Sequence, residues 1–161
     1  MTLHFFSDAF RVGRDAGRAL AEDAAVDGVL AEVCAILRTP IAILALRQGT
    51  GARAVCATGI ALAALPPSIL GAAETFAMLE GVLSVPDLRA DPRLRAHPLV
   101  AASPHLRHYT GTIVPGALAP LGVLCGMDVQ PRGPASFRQR AQLRRLAGMV
   151  AERIGAPPHL G

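Results

Sequence analysis

Apolar and polar positions along the chain switch between two periods, and the switches mark out the elements. From Phe10 to Leu37 the apolar residues Phe10, Ala16, Leu20, Ala24, Val29, Val33, Ile36 and Leu37 recur at helical spacing, with Ser7 or Asp8 placed to cap the start and Gly28 to interrupt the run. This predicts two helices, the second opening at Asp27 and closing before Thr39-Pro40. Two β-type runs follow, Ile41–Leu46 and Arg53–Thr58, joined by the turn residues Gly49, Thr50 and Gly51. The first is apolar at nearly every position, as expected of a strand covered on both faces. Leu65-Pro66-Pro67-Ser68 then introduces a helix over Ile69–Leu79 with Gly81 at its end. Leu83–Val85, Leu106–Val114 and Leu121–Val129 read as three more strands, the last two a hairpin across 115–120. Pro134-Ala135-Ser136 caps a final helix whose stripe is Phe137, Leu143, Leu146, Val150 and Ile154. The pattern is that of an α+β sandwich, an antiparallel sheet with helices packed on it.

The long stretch between Val85 and Leu106 obeys neither period. Pro86, Pro92, Pro98 and Pro104 recur every six residues. Each fixes its own φ and drives the residue before it out of the helical region, so no single helix can run through them. A structured crossover of that length is expected to bind something or to act as a lid. It also concentrates the polar chemistry: Asp87, Arg89, Asp91, Arg93, Arg95, His97, His105, Arg107, His108 and Tyr109 all lie in or beside it.

Composition narrows the function more than the fold. A chain of 161 residues that is 52% hydrophobic supports one core. With one Tyr and no Trp, aromatic stacking is a poor basis for binding. All sixteen basic residues are Arg, the net charge is +4, and they are scattered along the chain rather than gathered in a recognisable nucleic-acid module, so no nucleic-acid partner is expected. Cys34, Cys56 and Cys125 are odd in number, contain no CxxC pair and sit in apolar runs, as reduced buried thiols do. No signal peptide and no apolar span of membrane length appears, and a cytoplasmic location without a membrane partner is expected.

Several linked motifs are familiar. Leu83-Ser84-Val85-Pro86-Asp87, Asp91-Pro92-Arg93-Leu94, His97-Pro98-Leu99-Val100, Leu106-Arg107-His108-Tyr109-Thr110-Gly111, Gly122-Val123-Leu124-Cys125-Gly126-Met127-Asp128 and Pro131-Arg132 stand in the order and spacing of a bacterial GAF subgroup. The chain resembles a GAF domain over residues 25–155, leaving 1–24 as an N-terminal helix available for dimerisation and 156–161 as a tail. The resemblance implies a PAS/GAF-type six-stranded antiparallel sheet with helices on both faces, a small-molecule pocket roofed by the crossover, and a dimer built by the terminal helices. The chain departs from the pattern at Leu94 (Phe in the family), His97 (Asn), His108 (Phe), and Thr110 and Thr112 (small apolar residues). Glu74-Thr75-Phe76-Ala77 lacks the cysteine that would attach a bilin, so a covalent bilin is not expected and the cofactor, if any, is unknown.

From these residues the ligand-binding set is His108, Thr110, Thr112, Arg107, Tyr109, Asp87, His105 and Cys125. Arg107 and Tyr109 share one strand face, and His108, Thr110 and Thr112 the other. The second row draws attention because buried polar side chains need partners that a ligand can supply. No metal site is expected, since His105 and His108 are badly spaced to chelate, and no catalytic residue is assigned. Asp87 and Asp91 are expected to cap the backbone after them, with Asp91 pairing Arg93. The expected protein is a stand-alone, non-catalytic sensory module, a homodimer that binds a small ligand between the sheet and the 83–103 crossover. With no output segment after Ile154, it would signal through its helices or a separate partner. The alternatives are a degenerate module acting only in assembly and a small thiol-dependent redox enzyme using Cys56 or Cys125.

Overall fold

The computed structural model describes residues 17–155. The helix start at Ser7 or Asp8, the apolar position Phe10, most of the 1–24 element and the 156–161 tail lie outside the described residues. After helical residues 17–21, the order is α1 (Ala24–Leu37), β1 (Ile41–Gln48), β2 (Gly51–Thr58), α2 (Ala72–Phe76), β3 (Val82–Val85), α3 (Pro98–Ala101), β4 (His108–Val114), β5 (Gly122–Asp128) and α4 (Phe137–Gly155). The five strands form one antiparallel sheet in the order β2-β1-β5-β4-β3. The residue pattern supplies five strands, and the sixth implied by the resemblance is absent among the described residues. Between β2 and α2 the chain makes a short 3-10 turn, Leu62–Ala64, and Pro66-Pro67 interrupts backbone donation there.

α1 begins three residues before the expected Asp27. Asp23 is its cap, its carboxylate accepting from the Ala25 amide at 2.9 Å, and Gly28 lies exposed inside the helix without breaking it. α2 is shorter than the pattern predicts because Gly71, at φ +82°, holds the chain in the left-handed region and delays the helix to Ala72. β4 starts at His108, two residues late, since His105 sits at φ +58° and the chain becomes extended only after it. α4 opens on a reciprocal capping box: Ser136 Oγ accepts from the Gln139 amide at 3.1 Å while Gln139 Oε1 accepts from the Ser136 amide at 2.8 Å.

Both faces of the sheet are covered, which explains the continuous burial of Ile41–Ala45 and of β5. On one face α1 and α4 pack Val26, Leu30, Val33, Leu143, Leu146 and Val150 against Ala42, Leu44, Cys56, Val114 and Leu124. The two helices are tied at both ends. Arg153 binds Asp23 at 2.7 and 3.0 Å, and Gln139 Nε2 donates to the Ile36 carbonyl at 3.0 Å. On the other face lie α2 and the crossover with its short α3, packed over Ile43, Leu83, Val85, Tyr109, Val123, Cys125 and Met127.

Candidate functional site

The crossover is held by its own polar side chains. Asp87 Oδ1 accepts from the Arg89 amide at 3.1 Å, and Asp91 Oδ1 from the Arg93 amide at 2.8 Å, as expected of Asp in such turns. Asp91 also binds the Arg93 guanidinium at 2.8 Å. The sequence did not reveal the partner of Asp87. Arg107, twenty residues on, grips it through Nε at 2.9 Å and Nη2 at 2.8 Å, clipping the start of the crossover to the entrance of β4. That guanidinium, followed by the Arg89 amide, pulls the Asp87 carboxyl down to about 2. His97 caps the short helix of the crossover. Its Nδ1 accepts from the Leu99 amide at 3.1 Å and caps α3, so Nε2 carries the ring proton, and burial lowers its pKa.

Beneath the crossover the expected polar hollow is closed. Leu70, Leu88, Leu94, Leu99, Val100 and Leu106 descend from the roof onto Ile43, Val85, Val123 and Met127, with Tyr109 among them, fully buried. The Tyr109 ring lies in a slot between two glycines: a Cβ at Gly71 would come 2.6 Å from Cζ, and one at Gly111 would come 2.2 Å from the hydroxyl oxygen. At 2.7 Å the hydroxyl meets Thr75 Oγ1, which itself bonds the Gly71 carbonyl at 2.7 Å. A carbonyl only accepts, so Thr75 donates to it and Tyr109 donates to Thr75. Burial raises the Tyr109 pKa well above the ordinary phenol value. Cys125 shares this interior and its thiol is pushed up to about 12 by burial.

His108, Thr110 and Thr112 face the other way, toward the side of the sheet covered by α4, alongside Val114. They therefore do not line the space under the crossover, because strand alternation places them opposite Tyr109. Their polarity is satisfied internally. Thr112 Oγ1 donates to the Gly81 carbonyl at 3.0 Å. A directed chain runs through the others. The Ala135 amide donates to Ser84 Oγ at 2.9 Å, Ser84 Oγ meets Thr110 Oγ1 at 2.9 Å, and Thr110 Oγ1 meets His108 Nε2 at 2.9 Å. His108 Nδ1 stands 3.4 Å from the Pro86 carbonyl. Because a carbonyl can only accept, Nδ1 carries the proton, and Thr110 donates to a bare Nε2. Burial, with help from the Arg132 charge, keeps the His108 pKa below its ordinary value. Ser84 and Thr75, which complete these two networks, are small hydroxyls whose roles only the fold reveals. Arg132, whose guanidinium pairs with buried Asp128, falls within the Pro131-Arg132 motif.

The eight expected ligand residues are thus divided among separate places. Tyr109 and Cys125 are interior plugs. His108, Thr110 and Thr112 belong to the helix side, Asp87 and Arg107 form a clip, and His105 lies outside on the crossover. The thiols do not converge, since Cys125 is on the crossover side and Cys56 on the helix side, its pKa raised to about 11 by burial. Among the described residues no three His, Cys, Asp or Glu side chains gather to hold a metal, and no helix is long and apolar enough to cross a membrane. Two open depressions mark the surface. One, about 390 Å³, is lined by Arg89, Arg95, Val100, Ala101 and His105. The other, about 570 Å³, lies between the end of α1 and the start of α4, among Ile36, Arg38, Ser136, Arg138, Gln139 and Gln142.

No family model matches the chain. A Pseudomonas aeruginosa protein named as a cyclic di-GMP phosphodiesterase is 33% identical over 136 residues, which is 82% of this chain. The chain spans only 22% of that relative's length. Among solved structures, the GAF domain of a phosphoenolpyruvate-protein phosphotransferase from Coxiella burnetii superposes with a TM-score of 0.67 at 13% identity, covering 91% of this chain and 92% of that one. Free methionine-R-sulfoxide reductase from Neisseria meningitidis gives 0.62 at 18% identity, covering 90% and 87%. The expectation of a non-catalytic protein is overturned by these likenesses: the relative is named as a phosphodiesterase and the fold is shared with reductases.

Proposed function

We propose that this chain, a GAF domain by fold, is a sensory module that receives a small ligand at its crossover and governs the hydrolysis of cyclic di-GMP. The observation that carries the output is the 33% identity, over four-fifths of the chain, to a protein named as a cyclic di-GMP phosphodiesterase. The input is argued from geometry. Tyr109 and the surrounding aliphatic side chains fill the space between sheet and crossover, so reception takes place on the outer surface of the crossover. From there the Asp87–Arg107 clip and the Pro86–His108–Thr110–Ser84–Ala135 chain offer a continuous polar connection to the residue preceding the α4 cap. α4 in turn presents Phe137, 86% exposed, and Met149, 44% exposed, as apolar contacts for a second copy or a separate partner.

The test measures cyclic di-GMP by mass spectrometry in bacteria expressing the full chain and in purified chain incubated with the dinucleotide and Mg²⁺. A reproducible change in the cellular level, or hydrolysis in the purified sample, is expected. Unchanged cyclic di-GMP in both settings overturns the reading.

A further inference from the structure

The crossover contains four of the chain's arginines between Asp87 and Arg107, the last included, but they are not used alike. Its two carboxylates are both committed. Asp91 is bound by Arg93, and Asp87 by Arg107. Arg89 and Arg95 are exposed, and neither guanidinium makes an ion pair or a side-chain hydrogen bond among the described residues. Both line the same cleft of about 390 Å³, together with the His105 imidazole and an apolar floor of Val100 and Ala101. His105 is turned out of the strand path by its left-handed backbone, φ +58°, with its amide held on the Ala102 carbonyl at 2.8 Å.

We propose that this cleft is a binding site for a phosphate-bearing small molecule. Guanidinium groups present paired donors that match phosphate oxygens and hold them by charge-assisted hydrogen bonds. Two such groups around one concavity, neither of them bonded to a carboxylate among the described residues, leave a positive depression that a doubly charged anion completes. The volume falls in the range of small-ligand pockets and exceeds what a lone phosphate needs, so the apolar floor remains for the body of a phosphorylated metabolite. Arg89 lies two residues from the Asp87 clip, so an occupied cleft pulls on the start of the crossover. The inference rests on the sensory reading and names the class of its input.

The test titrates the intact chain with pyrophosphate at low ionic strength, by calorimetry and by amide chemical shifts. Wild-type protein is expected to bind, with shifts centred on the Arg89, Arg95, Ala101 and His105 amides. The pair Arg89→Gln and Arg95→Gln should weaken binding at least about tenfold, the loss expected from one or more charge-assisted hydrogen bonds. Arg38→Gln with Arg138→Gln, the same charge removed from the α1–α4 groove, should leave it unchanged. No binding to wild type, equal weakening in both pairs, or binding only to phosphatidylglycerol vesicles overturns the site. The shift map of the unaltered protein decides the question even if a variant misfolds. Failure here leaves the cyclic di-GMP measurement untouched, so the two proposals fall separately.

Discussion

Replacing Tyr109 by Ala puts the closed interior to a quantitative test. The side chain is wholly buried between Gly71 and Gly111, and its hydroxyl is bonded to Thr75. Truncating a buried aromatic ring costs about 3–5 kcal/mol, to which the lost hydrogen bond adds about 1 kcal/mol. Against a total stability of about 5–15 kcal/mol, the variant should still fold but with little margin. Urea denaturation followed by circular dichroism should show a lower midpoint with an unchanged slope. The slot left behind has the shape of the lost group, and 4-methylphenol is that group as a free molecule. At a hundred times its Kd it should restore about 2.7 kcal/mol to the variant, and do nothing for the wild type. A second leg uses Gly111→Ala. In the wild-type background its methyl group would fall 2.2 Å from the hydroxyl oxygen, and this overpacking should cost about 1–3 kcal/mol. In the Tyr109→Ala background the methyl group no longer meets the ring and keeps only a close approach, 3.0 Å, to Cys125 Cβ, so the two substitutions should couple strongly. A Tyr109→Ala cost below about 1 kcal/mol, or simple additivity with Gly111→Ala, would refute the packed interior and reopen the space beneath the crossover to a ligand.

Other outcomes follow from the polar residues. Half-buried His97 and buried His108 have lowered pKa values, so the unfolded chain binds protons that the folded one refuses. Stability should therefore rise with pH up to their unfolded value, about 6.5, and level off above it; a chain more stable at pH 5 than at pH 7.5 would contradict this. His97→Asn should keep the α3 cap and stay within about 0.5 kcal/mol of wild type, whereas His97→Ala should lose about 1 kcal/mol, both read from urea midpoints. Asp87 has the opposite acid-base sense. Its folded pKa of about 2 lies below the ordinary carboxylate value, so its contribution is present above about pH 4 and fades as pH falls toward 2. Asp87→Asn should flatten that part of an acid titration, and an unaltered acid limb would show that the Arg107 clip is not maintained in solution. Ellman's reagent at pH 8 should leave Cys125 and Cys56 unmodified in folded protein and modify both in urea; rapid labelling of either in the native state would contradict their burial.

The parts of the fold written in local chemistry were legible from the residues. Five strands, the capped final helix, the Asp87 and Asp91 turns and the Asp91–Arg93 pair all depend on neighbours within a few positions. What the sequence hid depends on distant partners. Alternation puts His108, Thr110 and Thr112 on one strand face, but only packing against α4 decides that this face looks away from the crossover. Tyr109 reads as a ligand contact because it shares a strand face with Arg107, and alternation alone does not say whether that face borders a pocket or a closed core. The glycines that make its slot are 38 residues before it and two after it, and neither signals the slot by itself. The Asp87–Arg107 clip spans twenty residues, with Arg89 and Arg93 as equally plausible partners by sequence. The cleft is hidden in the sequence for the complementary reason: Arg89 and Arg95 differ from the other arginines only in that Arg93 and Arg107 are engaged by Asp91 and Asp87.

Fastening α1 and α4 at both ends limits what the pair can report. With Arg153 on Asp23 at one extremity and Gln139 on the Ile36 carbonyl at the other, neither rod can slip lengthwise past its neighbour without parting one of those bonds. Piston-like strokes are thereby discouraged, and tilting or rolling of the two as a single plate on the β surface is what remains. Any protein reading this one through those helices would sense a change of angle rather than of length.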